Sequence, residues 1–343
     1  MINKPNVDIV IVTFNRLTKL KRALECYDKQ TEPFRTMIVV DNNSTDGTQD
    51  YLKQWESEPS AYTKHVIYLE KNVGGSGGFY AGEKYALTLN PDWVYVADDD
   101  AYPDADMMSL FYAFEKQHRE EKISVISTTV TFIDRNIIHG CRKHTRIEDN
   151  RLIMDYATAD EYTKPYFECN SVSYVGAFIS AKALQEEGVV NGDLFIYQDD
   201  TEHSVRLAKY GKMYCVPKMV VVHDSVPDTN LSKVDALKIL WKEYYSYRNR
   251  MYLLLKHYPK IGRAEMIGEL SQVVSHKSAT MSPLDKMKLE GYYDAWRGRL
   301  GLHKVYKPGL VLSNEINKSL PYPKALWEVI YWTLRIRNLF KKE

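Results

Sequence analysis

Only four cysteines occur in 343 residues, Cys26, Cys141, Cys169 and Cys215, and none forms a Cys-x-x-Cys pair or a closely spaced framework. That scatter excludes a zinc ribbon and a disulfide-built secreted scaffold, and it suits a reducing compartment. An excess of charge of one sign is lacking too: 46 Lys plus Arg face 45 Asp plus Glu. Without a long-range positive field nucleic acid is not an expected partner, and any anion must be recognised by local groups. No run of about eighteen uncharged apolar residues occurs, so no segment is expected to span a bilayer. Met1 to Val7 carries Lys4 and Pro5 and then enters a strand, without the apolar core and small-residue cleavage site of a secretory signal. The expected location is cytoplasmic. Internal repeats and low-complexity segments are also absent.

The apolar fraction of 44% and charged fraction of 27% are those of a folded globular chain. The length exceeds that of a usual single domain, which predicts an α/β domain over 1–232 and a helical extension over 233–343. In the first third, Val7 to Thr13, Met37 to Val40, His65 to Leu69 and Trp93 to Ala97 read as short apolar strands. Between them lie helical stretches marked by Leu17, Leu20, Leu24 and Tyr27, by Asp46 to Trp55, and by Gly77 to Leu89. Strand and helix in alternation imply a Rossmann-like, mostly parallel sheet flanked by helices.

A helix from Asp104 to His118 and a strand from Ile123 to Thr129 follow, and the polar stretch Phe132 to Cys169 reads as an irregular insertion. The pattern resumes with a strand over Ser173 to Ser180, a helix from Lys182, an apolar stretch Leu194 to Tyr197 and a helix from Asp200 to Tyr210. Short strands at Lys212 to Val216 and Val220 to Val222 then lead into His223. From about Lys233 the chain reads as nearly all helix, with Pro259 as a stop signal.

Every polar or glycine-rich cluster in the first hundred residues falls just after a predicted strand, at the carboxyl edge of the sheet, where open α/β sheets bind ligands. The clusters are Thr13-Phe14-Asn15-Arg16, Asp41 through Gly47, Asn72 through Gly78, and Asp98-Asp99-Asp100. The glycine run follows the third strand rather than the first and lacks a Gly-Lys-Ser/Thr ending, which disfavours both a dinucleotide fingerprint and a Walker loop. Asp41 ends a strand where a carboxylate can accept from a base N–H or a ribose hydroxyl. Asp46 and Gly47 read as capping residues of the next helix.

Three adjacent carboxylates after an apolar strand repel one another unless a cation neutralises them. In an extended segment Asp98 and Asp100 point the same way and can share an ion, with Asp99 facing elsewhere. Oxygen ligands select Mg2+ or Mn2+. His223, at the end of an apolar strand, is a third ligand or a core histidine. Asp199, Asp200 and Glu202 open a helix that carries Arg206. A carboxylate there can act as general base, while acids in a first turn also complement the helix dipole, the role that Glu202 fits best.

Taken in order, these motifs resemble glycosyltransferase family 2, enzymes of the GT-A fold, over nearly all of positions 7 to 258. The Asn-Val-Gly-Gly-Ser-Gly-Gly-Phe run, the Asp triplet and the Asp-Asp-x-Glu element look most like bacterial galactofuranosyltransferases and their rhamnosyltransferase relatives. The resemblance implies an inverting enzyme whose donor is UDP-galactofuranose or dTDP-rhamnose, with a nucleotide-sugar half over 1–129 and an acceptor half over 130–232. It assigns Asp41 to the nucleobase, Asp98, Asp100 and His223 to the metal, and Asp200 to the acceptor hydroxyl as base, with Asp199 as second choice. Thr13, Asn15, Arg16, Asn43, Asn72, Gly74, Gly75, Gly78 and Asp99 complete the implied donor site. The acceptor would be a glycan or lipid-linked oligosaccharide in cell-surface polysaccharide synthesis.

Tyr244-Tyr245-Ser246-Tyr247-Arg248-Asn249 resembles the segment after the catalytic domain in these enzymes; its tyrosines also suit an aromatic core face. Lys324 to Lys342 mixes Trp327, Trp332 and aliphatics with Arg335, Arg337, Lys341 and Lys342. It reads either as an interfacial helix on the inner membrane leaflet or as a helix docked on the protein. A sugar-phosphate nucleotidyltransferase would usually carry a basic glycine-rich loop after strand one, where this chain has Thr13 to Arg16. A non-catalytic nucleotide-sugar binder would tolerate loss of the base, yet Asp199 and Asp200 are present.

Overall fold

The computed structural model describes residues 4–225, 233–275 and 283–310; Lys324 to Lys342 lies outside them. By packing, the chain divides into two compact units, one comprising Met1–Arg146, Ile153–Asp193 and Asp199–Asp228, the other Ile147–Leu152, Leu194–Gln198 and Thr229–Glu343. Two short pieces of the front half, Ile147–Leu152 and Leu194–Gln198, group with the second unit.

In the first unit, β1 (Val7–Thr13), α1 (Leu17–Asp28), β2 (Thr36–Asp41), α2 (Thr48–Ser57), β3 (Thr63–Tyr68), α3 (Gly74–Thr88) and β4 (Trp93–Asp98) alternate as the hydrophobic pattern predicts. Then come β5 (Ala101–Pro103), α4 (Met107–Gln117), β6 (Ile123–Thr131), β7 (Arg142–Glu148), β8 (Arg151–Tyr156), β9 (Phe167–Cys169) and β10 (Ser171–Val172). The unit is completed by β11 (Ala177–Ser180), α5 (Ala181–Glu187), α6 (Asp199–Tyr210) and β12 (Lys212–His223). The main sheet runs β3-β2-β1-β4-β11-β6-β12-β5, with β9 on β12. Strands β3, β2, β1 and β4 pair in parallel, as do β6 and β12, whereas β11 is antiparallel to both its neighbours. Strand β1 is buried along its whole length because alternate residues feed different cores: Val7, Ile9 and Ile11 pack on one face, Val10 and Val12 on the other.

Three expectations are corrected. The stretch 132–169 is not irregular: it holds β7, β8 and β9, with β10-β7-β8 forming a small second sheet. The two short strands after Lys212 are one strand of 12 residues, whose register against β6 shifts between Val216 and Val220, around Pro217, which has no N–H for the ladder. Glu202 lies in the first turn of α6, where the sequence places it, and is fully buried, accepting from Arg206 Nε at 3.0 Å, one turn on. The glycine run is not a loop before a helix but the first turn of α3 itself. A Cβ on Gly78 would lie 2.4 Å from Val12 Cγ1, and one on Gly82 2.3 Å from Val10 Cγ1. These two glycines, four apart on one helix face, let α3 settle directly on β1.

In the second unit, α7 (Lys233–Ile239), α8 (Lys242–His257), α9 (Pro259–Ser275) and α10 (Pro283–Trp296) surround two small cores. Pro259 both ends α8 and opens α9, a position where its missing N–H leaves no bond unmade. Tyr244, Tyr245 and Tyr306 are buried together with Trp241 and Phe195.

Candidate active site

Strand order brings the ends of β1, β2 and β4 side by side, and the loops leaving them are tied to one another by side chains. Asn15, at φ 53°, accepts from Thr45 N at 2.7 Å, and its own N–H donates to Ser44 Oγ at 2.8 Å. Asn43 is also left-handed, at φ 65°, a conformation Asn tolerates better than most residues. Asn42 Nδ2 donates to Gly74 O, and Asn42 Oδ1 accepts from Val73 N, both at 2.9 Å, which links the second loop to the third. Asn72 Oδ1 accepts from Gly74 N at 2.8 Å. Asp46 accepts from Thr48 N and Oγ1 at the start of α2 and from Leu17 N at the start of α1.

Asp41 is fully buried, and its carboxylate accepts from Ser44 N at 3.2 Å and Gln49 Nε2 at 2.8 Å. A nucleobase reaching it must share or displace the Gln49 bond. Gly74 and Gly75 open α3 near this loop, and a Cβ on Gly75 would meet nothing within 4 Å; Gly78, in contrast, faces Val12.

At the end of β4, ligand atoms of Asp98, Asp100 and His223 all lie within 4.8 Å of one another. His223 Nε2 is 3.3 Å from Asp100 Oδ1, a buried oxygen without a hydrogen-bond partner. Asp99 faces elsewhere: Thr13 Oγ1 donates to it at 2.7 Å and Arg16 Nη1 at 3.2 Å. Arg16 Nη1 also donates to Asp100 Oδ2 at 2.8 Å, and Lys19 Nζ reaches the same oxygen at 3.3 Å. Burial and the Asp100 charge push Asp98 up to about 6, and burial pushes Asp99 up to about 7. Burial works on Asp100 in the same sense, but His223, Arg16 and Lys19 outweigh it and draw the group down to about 2. Two carboxylates, one of them with an unpartnered buried oxygen, and one imidazole fit a Mn2+ or Mg2+ ion.

The second acidic pair belongs to the same electrostatic field. Burial, the neighbouring Asp200 and the Asp98 charge push Asp199 up to about 7, while the Ser76 hydroxyl works against them. Asp200 Oδ1 accepts from Thr201 N at 2.6 Å and Thr201 Oγ1 at 3.1 Å. Behind the pair, α6 and α3 share a buried network in which Val190 N donates to Glu83 Oε2 at 2.8 Å and His203 Nε2 donates to Gly188 O at 2.9 Å. The Tyr174 hydroxyl donates to His203 Nδ1. Lys19 and Glu83 carry no motif signal, since each gains its partners only through the fold; Asn42 and Ser76 lie within the sequence motifs but have no role of their own there.

Among the described residues a second metal-like group exists, Glu290, Asp294 and His303. His303 Nδ1 accepts from Val305 N at 3.2 Å and Tyr306 N at 3.1 Å, so the ring proton sits on Nε2, which faces Glu290 Oε1 at 3.3 Å. That tautomer offers a cation no lone pair.

The topology and the acidic cluster define a mixed α/β enzyme of the GT-A glycosyltransferase type. The chain matches the family described as Glycosyl transferase family 2 over residues 8–177 and Glycosyl transferase family group 2 over residues 93–280. It belongs to glycosyltransferase family 2. Galactofuranosyltransferase GlfT1 of Mycobacterium tuberculosis is 26% identical over 267 residues, covering 73% of this chain and 82% of the relative. The dTDP-rhamnosyl transferase RfbF of Shigella flexneri is 26% identical over 258 residues, covering 74% and 81%. Among solved structures, the mannosyltransferase PcManGT of Pyrobaculum calidifontis, in complex with GDP-Man and Mn2+, superposes with a TM-score of 0.53 at 17% identity, over 99% of this chain and 89% of that one. GalNAc-T7 with UDP, GalNAc and Mn2+ superposes with a TM-score of 0.58 at 15% identity, and the chain spans 59% of its length. These likenesses establish the fold.

Proposed function

We propose that this chain is an inverting, metal-dependent transferase that moves galactofuranose from UDP-galactofuranose to a hydroxyl of a glycan or lipid-linked oligosaccharide during bacterial cell-surface polysaccharide synthesis. The observation that carries the reading is the meeting of Asp98, Asp100 and His223 at one strand edge, in the electrostatic field of a second carboxylate pair. In this reading Asp98, Asp100 and His223 hold Mn2+ or Mg2+, which supplies positive charge to the diphosphate of the donor.

The remaining roles belong to the chain. Asp41 and the Asn15–Asn43 loops hold the nucleoside, and Arg16, with its side chain half exposed beside Asp99 and Asp100, is available to a phosphate. The Asp199–Asp200 pair stores one proton near neutrality. Burial and the neighbouring Asp200 push Asp199 up to about 7, so Asp199 is the member of the pair that holds it. Oδ1 of Asp200 is fixed by Thr201, and Oδ2 accepts the proton of the acceptor hydroxyl as that oxygen attacks the anomeric carbon. A single general base with direct attack gives inversion.

The RfbF relative supports a second donor, dTDP-rhamnose, at equal identity. The test is transfer from each donor to a lipid-linked glycan acceptor, with the anomeric configuration of the product read by NMR. Transfer from UDP-galactofuranose with inversion supports the reading, transfer from dTDP-rhamnose alone replaces the sugar, and a retained configuration overturns the mechanism. Among the described residues no helix is long and apolar enough to cross a membrane; cytoplasmic placement with peripheral contact to the inner leaflet is part of the proposal, tested by vesicle co-sedimentation.

A further inference from the structure

The Tyr-rich element of α8 has no part in the reading above, yet its last two residues make several side-chain-to-backbone hydrogen bonds. Arg248 and Asn249 are buried. Asn249 Nδ2 donates to the carbonyl oxygens of Leu194 at 2.8 Å, Ile196 at 2.9 Å and Tyr197 at 2.8 Å. Arg248 Nη2 donates to Leu194 O at 2.9 Å, and Nη1 to Gly301 O at 2.7 Å. Arg248 Nε donates to Asn249 Oδ1 at 2.9 Å. That last bond settles which way the amide faces, since only Oδ1 can accept it, and so turns both Nδ2 hydrogens toward the three carbonyls.

The backbone they hold is strained. Phe195, Tyr197 and Gln198 have φ values of 67°, 66° and 63° without being glycine. A bulky residue in this region costs roughly 1–2 kcal/mol, and such strain persists only where surrounding bonds over-determine it. Here several bonds converge: the Asn249 amide collects three carbonyls from four consecutive residues, and the first of them, Leu194 O, also accepts from Arg248 Nη2 and from Ile196 N at 2.8 Å. Phe195 adds packing on Tyr245, with ring centroids 5.1 Å apart. The next residues in the chain are Asp199 and Asp200.

We infer that Asn249, oriented by Arg248, is a positioning residue for transfer: it holds 194–198 in its left-handed course and thereby sets where the Asp199–Asp200 carboxylates enter the site. The inference rests on the reading of that pair as the base. A base displaced by about 1 Å loses on the order of a hundredfold in rate. Donor binding is spared, because Asp41, Asp98 and Asp100 sit on β2 and the β4 edge.

Asn249→Asp keeps the shape and removes both donors, and Asn249→Ala removes the group. Three quantities are measured on each: kcat for transfer, the Kd for UDP with Mn2+, and hydrogen exchange at 194–201. The expected result is a kcat loss of tenfold or more in both variants, a UDP Kd within twofold of wild type, and faster exchange confined to 194–201. Asn249→Asp with more than half the wild-type kcat, or unchanged exchange at 194–201, overturns the inference. So does a parallel loss of UDP affinity with faster exchange throughout, the signature of a merely structural residue. Arg248→Lys, which removes only the bond that orients the amide, gives the same pattern at smaller amplitude should the Asn249 variants fail to fold. A wild-type protein that transfers no sugar sinks the glycosyltransferase reading instead, while exchange at 194–201 still decides whether Asn249 is the clamp.

Discussion

His223 Nε2 stands 3.3 Å from Asp100 Oδ1, joining the last residue of β12 to the turn after β4 across 123 positions of sequence. The oxygen is buried and unpartnered, and Asp98 offers a third ligand atom within the same 4.8 Å group. Calorimetry with UDP and with dTDP, each with and without Mn2+, is expected to give metal-dependent binding of one nucleotide. Asp98→Ala/Asp100→Ala abolishes that binding. Equal affinity with and without Mn2+ would remove the metal from the reading.

Asp200→Asn keeps the Thr201 contacts in shape while removing the basic oxygen. Transfer falls by about a hundredfold or more, and nucleotide affinity stays near wild type. A loss of tenfold or less would hand the role to Asp199, which the corresponding Asp199→Asn assay then checks.

Burial pushes Glu83 up to about 7, against the pull of the Val190 N–H. An unfolded Glu titrates near 4.3, so between about pH 4 and pH 7 the folded state binds the extra proton, and the contribution of this group to stability falls as pH rises. Glu83→Gln cannot ionise. Its Tm relative to wild type therefore rises from pH 5 to pH 8; a difference independent of pH would contradict the shift.

Gly82→Ala places a methyl 2.3 Å from Val10 Cγ1 and 3.2 Å from Val40 Cγ2. Both neighbours are buried and β-branched, hence stiff, so the variant loses roughly 1–3 kcal/mol in denaturant unfolding. Val10→Ala in the same chain recovers part of that loss. Additive losses in the double variant would mean that α3 does not rest on β1 through this glycine.

Arg16 donates to both Asp99 and Asp100, and after the His223 hydrogen bond its charge is the next counterweight to burial at Asp100. Arg16→Ala raises the pH at which Asp100 is half-protonated, read by NMR titration of the carboxyl carbon. An unmoved Asp100 titration would show that the ion pair does not form in solution.

Local pattern carried much of the outcome. The runs Val7–Thr13, Thr36–Asp41 and Trp93–Asp98 declare themselves as strands because a strand buried on both faces must be apolar at successive positions, whereas the edge strand Thr63–Tyr68 is only half-buried. The polar clusters declare the ligand edge because each follows such a run, and adjacent carboxylates call for a cation whatever the surrounding fold. Chain position alone cannot say that β11 enters antiparallel between β4 and β6, or that one strand carries Lys212 through to His223, since strand pairing is a long-range choice. Gly78 and Gly82 show their purpose only when Val12 and Val10 are seen beneath them. The left-handed backbone before Asp199 has no signature in Leu194–Gln198, whose residues are ordinary; the carbonyls of Leu194, Ile196 and Tyr197 meet their Asn249 donor, more than fifty residues away, only in the folded chain.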